Sequence, residues 1–157
     1  MSSTATNAGP SAAPRAQLDP RGARFAASLT TVVLAAALLL APSPATVVLL
    51  AVQAVLFAVG AGAGLQRTPY SWLFRTVVRP RLGAPRELED AAPPRFAQAV
   101  GLAFTVVALA GYVAGLDLLG SVATGFALAA AFLNAAFGLC LGCEVYLLLR
   151  RAAPATR

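Results

Sequence analysis

Four long stretches of this sequence are apolar and almost free of charged residues. Each is long enough to cross a hydrocarbon core about 30 Å thick, which takes roughly 20 helical residues. Because 59% of the 157 residues are hydrophobic and only 11% are charged, too little polar surface exists to enclose these stretches in water. The composition predicts a membrane protein and argues against collagen-like, disulfide-rich secreted and disordered classes. The predicted spans are residues 25–41, 45–65, 96–116 and 120–149.

The segments between the stretches predict the domain organisation. Residues 1–20 are rich in Ala, Ser, Thr and Pro and lack apolar periodicity, so they are expected to form a disordered cytoplasmic tail. Residues 21–151 are expected to form one all-α domain of four transmembrane helices. A cytoplasmic loop at 66–95 would divide this domain, and a short cytoplasmic tail at 152–157 would follow it.

The distribution of arginine predicts the orientation. All twelve basic residues are arginine, and none lies in the short connections after the first and third spans. Short loops rich in arginine stay cytoplasmic, so both termini and the central loop are expected on the inner side of the plasma membrane. The formal net charge of +6 then points to anionic inner-leaflet lipids as partners. Nucleic acid is the weaker alternative, because no base-reading motif accompanies the charge.

The first part of the central loop has helical periodicity. Apolar residues recur at i, i+3, i+4, i+7 and i+8, and two arginines are spaced i, i+4. The pattern predicts a short amphipathic helix in the inner membrane interface, either a structural anchor or a regulatory element. Its expected interface residues are Tyr70, Trp72, Phe74, Arg75 and Arg79, with Tyr70 and Trp72 at headgroup level. The second part, residues 83–94, is rich in proline and acidic residues and predicts an exposed linker or docking loop.

The two halves of the sequence share local features. The motif Arg-Phe-Ala occurs at residues 24–26 and again at 95–97, each time within a few residues of a proline. The similarity predicts two helical hairpins of the same orientation, a 2+2 parallel repeat known from membrane carriers and from inert bundles. In this register Gly64 and Arg67 take the places of two cysteines in the second half, so the chemistry would reside in that half.

The stretch at residues 137–146 departs most from plain membrane composition. Cys140 and Cys143 are spaced i, i+3, so on a helix their sulfurs would lie close enough to bridge, exchange with a partner thiol or share a soft metal. Glu144 lies beside them, and a carboxylate within a span is costly in lipid. We therefore expect Glu144 to face the bundle or a water-filled crevice, pair with Arg67 or Arg75, and tune the thiols. The candidate catalytic residues are Cys140, Cys143 and Glu144.

The same stretch has a structural interpretation, which stays open. Cysteine is comfortable within membrane helices, and Gly138 and Gly142 form a small-residue packing pattern. The sequence contains no histidine, which excludes a His-based metal site and a Ser/His/Asp triad. With two cysteines per chain, a Cys₄ metal site would need a homodimer, so no cofactor or metal is expected. Whether the protein is an enzyme is not decided by these residues.

Small and amide side chains predict where helices pack. Glycine pairs spaced i, i+4 form faces that allow close helix approach or dimerisation. Two amides fall near the middle of their predicted spans, within reach of a hydrogen bond to another helix. One of them, Asn134, lies about 120° from the thiol face, so it is assigned to packing. The predicted packing residues are Gly60, Gly64, Gly111, Gly115, Gly138, Gly142, Gln53 and Asn134.

Three segments carry a resemblance to a known family. They are Pro-Arg-Phe-Ala-Gln at 94–98, Phe-Leu-Asn at 132–134 and Gly-Leu-Cys-Leu-Gly-Cys-Glu-Val-Tyr at 138–146. Over residues 18–150 the chain resembles the bacterial membrane family called domain of unknown function 4395. The resemblance implies four helices with Cys-x-x-Cys near the end of the last one. Its members are often encoded near thioredoxin-like and sulfurtransferase proteins, which implies thiol or sulfur metabolism by association.

The chain also resembles, more distantly, the vitamin K epoxide reductase class of four-helix thiol oxidases. That class has Cys-x-x-Cys toward the outer end of its fourth helix, whereas here the pair lies seven residues before Arg150 and no second cysteine pair is present. Outward disulfide formation is therefore disfavoured. Because the cytosol is reducing, the pair is expected to rest as a dithiol, persulfide or metal thiolate.

Three functional hypotheses follow. In the first, the protein handles thiols or sulfur at the cytoplasmic membrane face, where Cys140 and Cys143 exchange electrons or carry a persulfide. The loop at 83–94 would then dock a soluble thioredoxin-like or sulfurtransferase protein. In the second, the chain is a passive membrane anchor or scaffold for that partner. In the third, suggested by the repeat and by the arginines, it is a small carrier for a sulfur-containing anion.

Overall fold

The computed structural model describes residues 16–85 and 87–152, and this part of the chain is largely helical. The helices are α1 (Pro20–Leu39), α2 (Pro44–Gly62), α3 (Pro69–Leu73), α4 (Arg79–Leu82), α5 (Ala92–Val113), α6 (Asp117–Phe137) and α7 (Leu141–Ala152). A 3₁₀ turn (Leu65–Arg67) precedes α3, and a π turn (Phe74–Val78) joins α3 to α4. Helices α1, α2, α5 and α6 are long and apolar enough to cross a membrane. The expected all-α class with four apolar helices is confirmed.

The four long helices form a bundle in which each half of the chain packs on the other. Helix α1 lies against α6, α2 lies against α5, and α5 also contacts α6. Small residues let these helices approach closely. The buried cluster at the centre consists of Leu34, Ala37, Leu50, Ala108, Ala123 and Ala127.

One end of the bundle collects the amino ends of α1 and α5 and the carboxyl ends of α2 and α6, and we call it the arginine-rich end. Arg24 Nη2 donates to two last-turn carbonyls of α6 at 3.3 and 3.4 Å. Arg95 does the same for α2, with bonds of 2.7 to 3.2 Å. The last carbonyls of a helix have no partner within it, so each arginine satisfies groups that the opposite half leaves open.

The opposite end of the bundle holds the two tight turns. Thr46 Oγ1 donates to the carbonyl of Ala37 at 3.0 Å across the first turn. At the second turn α5 and α6 are so close that a Cβ on Gly111 would lie 2.7 Å from the backbone nitrogen of Gly120. None of the described arginines lies in either turn.

The predicted fourth span is wrong in its carboxyl half. Residues 120–149 do not form one helix, because α6 ends at Phe137 and α7 begins at Leu141. Gly138 has φ +71°, a left-handed conformation that glycine adopts without steric cost and that commonly ends helices. Arg24 satisfies the carbonyls released there, so the break is fully capped. The chain then turns, and α7 packs back on α5.

The tail and the central loop are more ordered than the sequence predicts. Strand β1 (Gln17–Leu18) pairs antiparallel with strand β2 (Glu89–Asp90), and Leu18 is buried. The expected disorder through residue 20 is therefore wrong for residues 17–20, whereas residues 1–15 and 153–157 lie outside the described part of the chain. The strand pair ties the docking loop to the start of α1, so that loop is not a free linker.

The glycine pairs do not act as pairs. Gly60 lies against Gln98 of α5, where an added Cβ would meet the amide oxygen at 2.6 Å. The second glycine of that pair, Gly64, has φ +96° and open space around it. Gly115, the second glycine of the pair with Gly111, has φ +72° and no neighbour within 4 Å of an added Cβ. In both of these pairs one glycine packs and the other ends a helix, because a packing residue lies in the last turn before a helix-terminating glycine. In the third pair the order is reversed: Gly138 ends α6 and Gly142 packs on Ala97.

Candidate functional site

A disulfide joins Cys140 and Cys143 at the junction of α6 and α7, with their Cα atoms 5.2 Å apart. Cys140 is the residue before α7, and Cys143 lies in the first turn of that helix. The pair is therefore at a helix amino terminus. It is not in the interior of a span, where the sequence predicts it. The pair is a disulfide in this structure, and the resting dithiol, persulfide or metal thiolate expected in a reducing cytosol stays a prediction.

The first turn of α7 is organised around Cys140. The backbone N–H of Cys143 donates to Cys140 Sγ at 3.3 Å, and the N–H of Glu144 donates to the Cys140 carbonyl at 3.1 Å. The Glu144 N–H makes the first backbone bond of the helix, whereas the Cys143 N–H belongs to the first-turn donors that have no backbone partner within it. A thiolate at Cys140 would thus be stabilised by a backbone donor and by the positive end of the helix dipole.

Helix α7 is held against the start of α5. A Cβ on Gly142 would lie 2.7 Å from both Cα and Cβ of Ala97, so the two backbones are in direct contact. The rings of Phe96 and Tyr146 are 5.7 Å apart, and the Arg150 guanidinium lies 6.0 Å from the centre of the Tyr146 ring. These contacts fix the position of the disulfide relative to the bundle.

Glu144 does not enter the bundle. Its side chain is exposed, and within residues 16–85 and 87–152 it forms no ion pair with Arg67 or Arg75. The predicted pairing is wrong because α7 lies outside the four-helix core. A carboxylate in the first turn of a helix is favoured by the helix dipole, which gives Glu144 a stable place without an arginine partner.

The surface of α7 is divided into faces. With about 100° per residue, Leu141, Val145 and Leu148 share one side, and all three are exposed. Gly142 and Tyr146 lie on the next side, against α5. Cys143 and Glu144 fall on the remaining side, with Leu147 and Arg151. The helix is amphipathic, and the cysteine side is separate from the exposed apolar side.

The interfacial residues predicted in the central loop divide into two groups. Phe74 is 4% exposed and packs on Phe25 with ring centres 5.8 Å apart, so its assignment to the membrane interface is wrong. Trp72, Arg75 and Arg79 are exposed, as an interface location requires. The periodicity that predicted this helix does not show which apolar residues face the bundle.

Tyr70 also faces inward rather than outward. Its hydroxyl donates to Gln53 Oε1 at 3.2 Å, and Gln53 Nε2 donates to Thr30 Oγ1 at 3.4 Å. Burial raises the pKa of Tyr70 above its ordinary value of 10.0. Gln53 therefore links α1 and α2 to α3 through its two amide atoms, and Tyr70 is not a headgroup anchor.

Asn134 lies one turn from the end of α6 rather than at mid-span, because that helix ends at Phe137. Its carbonyl accepts the N–H of Gly138 at 3.0 Å. The capping roles of Arg24 and Arg95 were not predicted, although the repeated Arg-Phe-Ala motif was the available signal. In the part of the chain that the structure describes, no group of three or more His, Cys, Asp or Glu side chains could hold a metal ion.

Comparison with known proteins supplies one match. The family model described as "Domain of unknown function (DUF4395)" matches residues 18–151, which span every helix of the bundle and the cysteine pair. No curated protein and no solved structure matches the chain. The four apolar helices and the cysteine pair beyond the last of them also fit the resemblance noted from the sequence. The chain belongs to the DUF4395 family.

Proposed function

We propose that the protein is a thiol–disulfide exchange protein at the cytoplasmic face of the inner membrane, with Cys140 and Cys143 as its reactive pair. The observation that carries this proposal is the position of the pair at the amino end of α7, where the Cys143 N–H reaches Cys140 Sγ. Buried structural cysteines do not need such a donor, whereas reactive thiols are commonly found at helix amino termini.

The exchange is a balanced two-electron step. A thiolate of a partner dithiol attacks Cys143 Sγ, the bond between the two cysteine sulfurs breaks, and Cys140 leaves as the thiolate that the Cys143 N–H stabilises. The better stabilised thiolate is the better leaving group, which favours attack at Cys143. The second partner thiol then displaces Cys143 from the mixed disulfide. The partner is oxidised to a disulfide, and the cysteine pair takes up two electrons and two protons.

The faces of α7 support access from the cytoplasm. If the exposed apolar side, Leu141, Val145 and Leu148, lies toward lipid, the side with Cys143 and Glu144 faces water. The arginines of the described chain favour the cytoplasm for this end of the bundle, with both termini on that side. Anionic lipids of the inner leaflet would then contact the exposed Arg75 and Arg79.

The proposed partner is a soluble dithiol protein of the thioredoxin-like kind, or a sulfurtransferase that carries a persulfide. In the second case a thiolate of the reduced pair attacks the outer sulfur of that persulfide, and the sulfurtransferase leaves as a free thiolate. Its docking surface would be the loop at 83–94. The strand pair of Gln17–Leu18 with Glu89–Asp90 holds that loop in place, and Glu89 is exposed there. A fixed loop loses less conformational entropy on binding than a free linker would.

We further propose that the two halves are a parallel repeat, in a register shifted by two residues from the one the sequence suggested. Arg24 and Arg95 cap the second helix of the opposite half, and Gly64 and Gly138 end those helices with positive φ. In each half, the segment after the second helix packs back on the first span of the same half through an aromatic pair. The pairs are Phe25 with Phe74 and Phe96 with Tyr146. In this register Gln66 takes the place of Cys140, so only the second half carries thiols.

The decisive experiment uses the purified full chain in detergent with a reduced thioredoxin-type protein as the probe. Alkylation followed by mass spectrometry counts free thiols over time. The proposal expects loss of the disulfide with one equivalent of probe, and a probe lacking its second cysteine should be trapped as a mixed disulfide on Cys143. Cys140→Ser and Cys143→Ser are the matched single-thiol controls, which cannot complete the cycle.

Two results would contradict the proposal. One is a disulfide that resists the dithiol protein but is reduced by a small phosphine in the same detergent, which would make it a structural bond. The other is trapping that occurs equally at both cysteines, which would remove the role assigned to the Cys143 N–H. The first result would favour the passive-anchor hypothesis, in which Cys140→Ser still recruits the partner.

A further inference from the structure

The arginine-rich end contains a cavity of about 290 Å³ that the cysteine pair does not use. It lies between the start of α1, the 3₁₀ turn Leu65–Arg67 and the helical segment at 69–82. Its volume is close to the lower limit of cavities that bind small molecules. Its lining includes Leu18, Leu65, Phe74, Gln66, Arg75 and Arg79.

The cavity has a cationic side. Arg75 and Arg79 are spaced i, i+4, and both line the cavity. Within residues 16–85 and 87–152 neither guanidinium has a hydrogen-bond or ion-pair partner. Asp19 also lines the cavity, but Arg21 neutralises it at 3.1 Å. Two free positive charges therefore remain for a ligand.

The opposite wall of the cavity is apolar. Leu18, Leu65 and Phe74 are each no more than 8% exposed, and they form a preorganised surface. Arg21 keeps this wall in place, since it donates to the carbonyls of Leu82 and Gly83 at 3.3 Å and so ties the end of α4 to the start of α1. A ligand that matches both walls has an anionic group at one end and an apolar body at the other.

We propose that this cavity binds a phosphate-type oxyanion, with Arg75 and Arg79 as the charged donors. Planar guanidinium groups suit tetrahedral oxyanions because each offers two parallel N–H donors. The cavity lies at the bundle end that carries the interfacial helices. Two sources can supply the oxyanion there. One is the headgroup of an anionic phospholipid, whose glycerol region would lie on the apolar wall, and the other is a free phosphate compound.

The test uses the full chain in two settings. In detergent, the thermal unfolding midpoint is followed against inorganic phosphate at constant ionic strength, with chloride as the reference. In nanodiscs, native mass spectrometry counts phosphatidylglycerol retained against phosphatidylcholine. Saturable stabilisation by phosphate supports a free oxyanion, and selective retention of phosphatidylglycerol without a phosphate effect supports the lipid headgroup. Absence of both effects would overturn the proposal.

The variants separate this site from general surface charge. Arg75→Gln with Arg79→Gln should weaken the observed binding at least tenfold, because two charge-assisted hydrogen bonds are lost. Arg67→Gln with Arg81→Gln removes the same charge at the same end, outside the cavity, and should change binding less than twofold. Equal losses in both double variants would also overturn the proposal. Arg75→Lys with Arg79→Lys keeps both positive charges and should retain partial binding. It is the control that distinguishes loss of the site from misfolding of the Gln variant.

Discussion

Gly142 of α7 and Ala97 of α5 are in backbone contact, with 2.7 Å between a Cβ built on Gly142 and the Ala97 Cα. No side chain larger than hydrogen fits there unless α7 moves. Because Cys140 and Cys143 lie at the start of α7, this contact sets where the disulfide sits relative to the bundle.

Gly142→Val should therefore displace α7 and destabilise the protein by about 1–3 kcal/mol, the usual cost of overpacking. It should also increase the rate at which a dithiol protein reduces the disulfide, because the first turn of α7 is loosened. Gly125→Ala is the control, since its added methyl group meets nothing within 4 Å and alanine favours a helix over glycine. Unfolding in detergent and the reduction rate are the measurements, and equal behaviour of the two variants would refute the role of the contact.

The two capping arginines give a second prediction. Arg24→Gln should loosen the junction of α6 and α7, and Arg95→Gln should loosen the end of α2, each at about 1 kcal/mol because the bonds are exposed. Hydrogen exchange should rise at Gly138 and Leu139 in the first variant and at Ala63 in the second. Arg81→Gln, whose side chain bonds only to the carbonyl of Val77 among residues 16–85 and 87–152, should change neither region. Exchange that rises over the whole bundle in either variant would argue against paired local caps, and against the repeat.

The inward-facing Tyr70 predicts a loss of stability at alkaline pH. Burial raises its pKa above 10.0, so the folded state favours the neutral phenol that donates to Gln53. This contribution is fully present below pH 10 and is lost as the pH rises through the pKa of the folded state. Tyr70→Phe should cost about 1 kcal/mol at neutral pH and reduce the alkaline decline. Tyr146→Phe, which keeps its ring against Phe96, should leave that decline unchanged in pH-dependent unfolding.

A Gln53→Leu variant completes this cycle. If Gln53 is the acceptor for the Tyr70 hydroxyl, the two substitutions together should cost less than the sum of the single variants, because they remove one shared bond. Strict additivity would show that the bond contributes nothing to stability.

The sequence predicts the four apolar helices because hydropathy over about 20 residues is a strong signal. It does not predict the break at Gly138, since Leu139, Leu141 and Val145 continue the apolar run and one glycine within such a run is ordinary in membrane helices. Gly138 ends α6 in a left-handed conformation, and the carbonyls released there are bonded by Arg24, a long-range contact that the local pattern does not contain. The same limit explains Glu144, whose predicted burial followed from placing it inside a span.

The residue types of the candidate site are predicted by the sequence, whereas the geometry of the site is not. The spacing of Cys140 and Cys143 predicts that they can bridge, on a helix or at its start alike. The inward turn of Phe74 and Tyr70 depends on the packing of α3 and the π turn against α1, which one amphipathic period cannot distinguish from an outward turn. The cavity beside Arg75 and Arg79 likewise brings the start of α1 together with residues 65–79, which are distant from it in sequence.

The central claim is that Cys140 and Cys143 are a reducible pair open to the cytoplasm. The most direct measurement is labelling with a membrane-impermeant maleimide in intact cells and in inverted vesicles, before and after mild reductant. We expect labelling only in inverted vesicles, only after reduction, and reversal on mild oxidation. Ala114→Cys in a chain that also carries Cys140→Ser and Cys143→Ser places a thiol at the opposite end and should label only in intact cells. Thiols that resist labelling until the membrane is dissolved, or that react from the outside, would contradict the account.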